Sequence, residues 1–414
     1  MSSVGSARTE IDIATGRADG AAAALRSTTA IRERACHLLA RARRGDSAWF
    51  GVDDDALAVA AAEVADVTRT RYPDLNVPFH SRWRHFEAGG VDRTAQVGDR
   101  LDARAMIDLA VVSVLLDAGA GPDWGYDEAT TGQRFSRSEG LGVASWHAFT
   151  NGLFSSDTTD PLRADATALC ALDADRLAEA FQVGPKNPLV GLDGRVAVLH
   201  RLGATLTAAP ETFGAQGRPG GLFDVLVAAD RRSVGAHDIL SLLLASLSGI
   251  WPADNAIGDQ PLGDCWRHSA VPGPGLTQGW MPFHKLSQWL TYSLLEPFQW
   301  GGVRVDDLDA LTGLPEYRNG GLLLDTGVLR LHDPSWAANQ WKAGDELVVE
   351  WRALTVALLD ELAPLVRSRL GVDAHRMPLA CVLEGGTWAA GRALARRLRD
   401  GLPPLTIVSD GTVF

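Results

Sequence analysis

The stretch "LPEYRNGG", Leu314 to Gly321, sets a carboxylate, a phenol and a guanidinium side by side, and a mostly aliphatic run from Leu322 to Leu331 follows it. Charges at the mouth of buried structure have to be paired, hydrated or used in chemistry. Spacing alone leaves two readings of Glu316, Tyr317 and Arg318: a turn salt bridge, or a carboxylate kept ready beside a cation. A second group lies upstream in "HKLSQWLTYSLLEP". At about 100° per residue, a helix puts Lys285, Trp289, Tyr292 and Glu296 in one stripe and Leu286, Leu290 and Leu294 in another. The plainer reading of the first stripe is a solvated face with i,i+4 pairs. A tryptophan and a tyrosine between opposite charges suit a pocket wall better, with rings packed and polar tips orienting a ligand.

"SRWRHFEAGGVDR" (81–93) and "SWHAFTNGLFSSDTTDPLR" (145–163) share that texture of aromatics interleaved with Arg, His, Asn and Asp. Each by itself reads as a loop anchored by its rings. Together, in a chain with 13 tryptophans, they read as the lining of one polar-aromatic cavity for a small molecule, with Trp146, His147 and Asn151 among its contacts. The sequence holds no GxxxxGK[ST], no GxGxxG after a strand, no HExxH and no GxSxG, which disfavours nucleotide, dinucleotide, zinc-protease and serine-hydrolase chemistry. His80 and His85 in "HSRWRH" are not spaced to align two ligands on a helix face, so no metal site and no cofactor are expected.

The elements that must position these residues are mainly helical. Caps followed by helical runs mark "TTAIRERACHLLARARR", "DDDALAVAAAEVADVTRTRY" and "LDARAMIDLAVVSVLLDAGAG". "DADRLAEAFQ", "GAHDILSLLLASLSG", "FHKLSQWLTYSLLEP" and "GTWAAGRALARRLRDG" add further helices. Strand signals are few: "GRVAVLH" and "ELVVEW", which equally begin helices, and the tail "LTIVSDGTVF". Residues 1–27 read as a mobile leader, 28–185 as an N-terminal helical part and 186–414 as a C-terminal part, with a soft division between them. A hydrophobic content of 46% over 414 residues is ample for a large core. Four dispersed cysteines, no apolar leader and no run of ~20 apolar residues point to a cytoplasmic protein without a membrane span. A net charge of −12 disfavours nucleic acid and leaves a small molecule as the expected partner.

Longer motifs carry a resemblance. "FHKLSQWLTYSLLEPFQWGGVRVDDLDALTGLPEYRNGGLLLDTGVLRL", "LEGGTWAAGR" and the closing "SDGTVF" resemble the bacterial and fungal uracil-catabolism proteins that form the fourth-protein family of the URC pathway, from about Trp49 to Phe414. "GLDGRVAVLHRLGATLTAAPETFG" and "VDDLDALTGLPEYR" more distantly resemble the queuosine-salvage glycosylases. The latter likeness implies a helical, DNA-glycosylase-like core and hydrolysis of an N-glycosidic bond. It also implies an acid before Tyr-Arg acting at the sugar, there usually Asp and here Glu316, and it retains Arg201 from a degraded motif.

The resemblance implies cleavage of ribosylurea, or its 5′-phosphate, to urea and the sugar, with a ribosylated pyrimidine derivative as ligand. Glu316 is the expected catalytic carboxylate, stabilising an oxocarbenium-like state. Departing urea needs a proton donor, for which Tyr317, Tyr292, His147 and a second acid remain open. Arg318 is expected to hold the acid ionised or to bind a substrate oxygen or the 5′-phosphate. An amidohydrolase or deaminase acting on a ring-opened pyrimidine, and a non-catalytic scaffold that binds a uracil derivative, are the alternatives.

Overall fold

A computed structural model describes residues 14–117, 119–227, 232–251 and 255–408. Its principal helices are α1 (Ala18–Leu25), α2 (Thr28–Arg43), α3 (Leu57–Arg71), α4 (Ala103–Leu115), α5 (Arg137–Thr150), α6 (Leu192–Ala208), α7 (Ala236–Leu247), α8 (Lys285–Trp300), α9 (Tyr317–Asp325), α10 (Glu346–Leu370) and α11 (Trp388–Arg399). The fold is mainly α. The strands among the described residues are two to four residues long and pair only two by two, as in Phe50–Val52 with Leu329–Leu331. "GRVAVLH" lies inside α6 and "ELVVEW" opens α10, whereas Thr406–Val408 of the tail pairs in parallel with Gln340–Lys342. The rest of the tail, with the "SDGTVF" motif, lies outside the described residues.

Local chemistry starts the helices where it should. Ser27 caps α2 by accepting from the Ala30 N–H, and Asp102 caps α4 by accepting from Ala105. The chain forms two compact units, each assembled from separated segments. One comprises the described parts of Met1–His80, Ala253–Gln288 and Leu308–Val408; the other those of Ser81–Pro252 and Trp289–Asp307. Residue 185, where the sequence suggests a soft division, lies within the second unit. The expected mobile leader is also different in its described part: Ala21, Ala22 and Leu25 of α1 are buried against Ile257, Leu262, Cys265 and Trp280. The partners of this short apolar face come from a part of the chain more than 200 residues away, so local sequence does not show the docking.

In the first unit α10 forms the spine, its residues Leu347 to Leu359 all buried. Glycines let neighbouring helices approach. A Cβ at Gly320 would lie 2.7 Å from the Trp351 ring, and one at Gly391 of α11 would lie 2.1 Å from the Arg318 carbonyl oxygen of α9. Gly386 is equally tight against the Val64 carbonyl of α3, at 2.5 Å. Gly320 of "YRNGG" and the glycines of "LEGGTWAAGR" are therefore contact surfaces between helices. In the second unit, the part of α8 from Trp289 to Phe298 is buried on all sides, the expected pocket stripe and the expected core stripe alike. Trp289, Tyr292 and Glu296 are as buried as Leu290 and Leu294.

Backbone contact at Gly391 is predicted to make Gly391→Ala cost ~1–3 kcal/mol through overpacking. Leu290→Ala is predicted to cost ~2–5 kcal/mol through a cavity. Chemical denaturation of each full-length variant checks both values.

Candidate active site

Glu316 is the residue just before α9, with extended backbone angles, and its carboxylate accepts from the N–H groups of Arg318 and Asn319, each at 2.6 Å. The short loop before it is pinned on three sides. Asn319 Nδ2 donates to the Leu314 carbonyl at 3.0 Å, the Glu316 N–H bonds the same carbonyl, and Arg352 Nε donates to the Pro315 carbonyl at 3.2 Å. The guanidinium of Arg318 is not the partner of Glu316. It donates to the Gly401 carbonyl at 3.1 Å and lies over the Tyr317 ring at 4.8 Å, so the expected ion pair between neighbours is replaced by a backbone cap. Consecutive side chains at a helix start point in different directions, and the N–H groups are the closer donors.

Arg352 and Asp264 form a buried bidentate pair at 2.7 and 2.8 Å. Burial opposes the Asp264 charge, yet Arg352 outweighs it and holds the carboxyl below its ordinary range. Asp264 also accepts from the Lys285 N–H at 3.0 Å, so one ion pair fixes both the start of α8 and the loop that carries Glu316. Between them His284 takes a left-handed φ of 49°, unusual for a residue with a side chain. Its ring Nε2 bonds the Leu25 carbonyl at 3.1 Å and its N–H bonds the Asp264 carbonyl at 3.2 Å.

Glu316 is pushed above the ordinary glutamate range by burial, while its two backbone hydrogen bonds and the charges of Lys285 and His80 act the other way. His80 is itself held by Glu384, Nδ1 to carboxylate at 2.9 Å, and Glu384 also takes Arg71 at 2.7 Å and the Tyr72 hydroxyl at 3.0 Å. Burial works against the Glu384 charge, but the hydrogen bond and charge of His80, with Arg71, bring its pKa down to about 2. Glu384 sits in a π-helical turn, Leu383–Thr387, a local widening that is frequent at functional sites. The sequence points to none of Glu384, Asp264 and Arg352, and to His80 only as a metal ligand that its spacing disfavours. Glu384 lies within the "LEGGTWAAGR" motif and was visible there only as part of a pattern.

The other expected contacts lie elsewhere. Lys285 is half-buried in the same unit as Glu316, and Tyr317 is 39% exposed beside it. In the second unit Glu296 pairs with Arg84 at 2.6 Å and takes the Ser81 hydroxyl. Trp289 lies 5.7 Å from the Arg82 guanidinium and edge-on to His85, and its indole N–H is buried without a hydrogen-bond partner. Tyr292 is fully buried. His147 bonds Glu128 at 2.7 Å under the Tyr126 ring, and Arg93 grips the same carboxylate with two 2.6 Å bonds. Trp146 packs on Phe86 in the core, while Asn151 and Arg201 are exposed. Among the described residues no group of three or more His, Cys, Asp or Glu is placed to hold a metal ion, and no helix is long and apolar enough to cross a membrane.

The chain is 39% identical over 378 residues to "Uracil catabolism protein 4" of Lachancea kluyveri, covering 82% of this chain and 85% of that protein. It is 38% identical over 408 residues to "Protein urg3" of Schizosaccharomyces pombe, covering 95% and 98%. The model of one family matches residues 24–414, and the chain belongs to that family, described as "Protein of unknown function (DUF1688)".

Proposed function

We propose that this protein acts in uracil catabolism as an N-ribosyl hydrolase, cleaving ribosylurea or its 5′-phosphate to urea and the sugar. The name of the Lachancea relative supports the pathway. One observation carries the reaction: Glu316 is a carboxylate fixed at a helix start by two backbone N–H groups, with the Lys285 charge beside it. Each of its oxygens keeps a lone pair beyond the one used by the backbone. A carboxylate held this rigidly needs little reorganisation to face developing positive charge at C1 of the sugar. Lys285 and Tyr317 are the donors in the same unit for the oxygen or nitrogen of departing urea. Cysteines without disulfides suit a reducing cytoplasm.

The capping geometry favours a second reading, in which Glu316 only starts α9. The two separate on mutation. For a cap alone, Glu316→Asp and Glu316→Gln both keep near-normal turnover, because the residue then acts on the helix start and not on the reaction. For the hydrolase, Glu316→Gln lowers turnover by several orders of magnitude with substrate affinity little changed, since C1 is neutral in the ground state. Glu316→Asp then retains partial activity. Urea release from synthetic ribosylurea and its 5′-phosphate is the measurement, and parental turnover in Glu316→Gln rejects this assignment.

The raised pKa gives a pH signature with a definite sign. Catalysis that needs the anion should rise with pH through an acidic limb above the ordinary value of 4.5 and level off, and that limb should vanish in Glu316→Gln. In the folding equilibrium a raised carboxylate contributes stability below its ordinary pKa and loses it as pH rises through the folded value. At neutral pH, relief of that buried charge opposes loss of the cap, so the Glu316→Gln melting temperature is predicted to move little while turnover collapses.

A further inference from the structure

Two arginines of the first unit carry charge that no carboxylate among the described residues neutralises. Arg34 of α2 is 7% exposed, yet it makes one long hydrogen bond, Nη1 to the Ala30 carbonyl at 3.3 Å, and its Nε is buried without a partner. The nearest acidic influence is the adjacent Glu33, an exposed side chain that forms no ion pair with it. Arg26, half-buried at the end of α1, bonds the Pro261 carbonyl at 3.0 Å through Nη2, and its Nε is likewise buried and unpartnered. A third orphan donor is the indole N–H of Trp280, a residue 4% exposed.

These groups share one neighbourhood. Leu25, next to Arg26, packs in the same apolar cluster as Cys265 and Trp280. The Leu25 carbonyl takes His284 Nε2, which lies 3.6 Å from Cys265 Sγ. Burial, with the Asp264 charge, pushes the Cys265 thiol well above its ordinary value, while the charges of Arg26, Arg34 and Arg352 act the other way. Arg352 and Asp264 neutralise each other, which leaves Arg26 and Arg34 as two cations without a counter-charge among the described residues. A Cβ at Gly273 would lie 3.0 Å from Arg34 Nη2, so the loop after Val271 also closes on this point. Cations taken out of water without a counter-charge are costly, and the free groups here are all donors. That combination fits an oxygen-rich anion.

We propose that Arg26, Arg34 and the Trp280 N–H form a binding site for a phosphate group, and that it takes the 5′-phosphate of phosphorylated ribosylurea. The second half rests on the hydrolase reading above. The start of α8 ties the two sites together: His284 reaches the Leu25 carbonyl beside Arg26, and the next residue, Lys285, bears on Glu316. Half-exposed Arg26 is the side from which an anion enters. Arginine is suited to phosphate because its planar fork can engage two oxygens at once.

The test uses the full chain and inorganic phosphate, titrated at constant ionic strength with melting temperature as readout. A saturable rise is expected. Arg34→Met should abolish the rise while leaving the phosphate-free melting temperature equal or higher, because an unpaired buried charge has been removed. Arg304→Met, at an exposed arginine paired with Asp306, should keep it. Should Arg34→Met fail to fold, half-buried Arg26→Met decides. No saturable rise, or a rise unchanged in both variants, overturns the site. A second arm compares substrates: kcat/KM for ribosylurea 5′-phosphate should exceed that for ribosylurea roughly tenfold or more, and Arg34→Met should erase the preference. Equal values overturn the assignment to the 5′-phosphate. Phosphate binding without any hydrolysis keeps the anion site and rejects the hydrolase.

Discussion

The buried pair of Arg352 and Asp264 is the constraint on which the candidate site rests. Desolvating two charges is expensive, and the cost is recovered only when geometry is good and the remaining donors and acceptors are used. Here they are: Arg352 adds the Pro315 carbonyl and stacks 4.0 Å over the Phe283 ring, and Asp264 adds the Lys285 N–H and the Trp266 indole at 2.7 Å. One pair thereby ties α10, the start of α8 and the Glu316 loop. Removing either partner would leave an unpaired charge in the interior, which generally costs ~3–5 kcal/mol. The same pair leaves His284 in its left-handed conformation with its N–H satisfied by the Asp264 carbonyl.

Close helix contact is the second theme, and it gives the glycine-rich motifs a physical meaning. α9 is short, and close backbone contacts add to the burial of Leu322 and Leu323 in placing it. Gly320 admits the Trp351 ring, whose indole N–H donates to the Gly320 carbonyl at 3.1 Å, and Gly391 admits the α9 backbone. The π-helical turn then directs Glu384 to His80, Arg71 and Tyr72. Tight backbone packing and a charged cluster are thus built by one stretch of sequence.

In the second unit the residues that looked like a ligand lining are largely occupied with one another. Arg93 and His147 share Glu128, Arg82 pairs with Asp117 at 2.9 Å, and Arg84 pairs with Glu296. Burial again works against Glu128, but the hydrogen bonds of Arg93 and His147 prevail and bring its pKa to about 2. Polar residues among aromatics read the same in sequence whether they meet a ligand or each other, because residue type does not specify the partner.

Much of the architecture was legible in the chain itself. Periodicity and caps marked α2, α3, α4, α7, α8 and α11, since both act within a few residues. The Glu316 stretch was legible as a place where charge meets buried structure. What it does with that charge was not, because the choice between the Arg318 side chain and two backbone N–H groups depends on local geometry that residue order leaves open. Tertiary structure alone decided the rest. Asp264 is 88 residues from Arg352 and His80 is 304 from Glu384, and pairing across such separations is set by which helices pack together. The unpaired charge on Arg26 and Arg34 is a tertiary property for the same reason: a sequence shows which groups a chain carries, and only the folded chain shows which of them have been left without a partner.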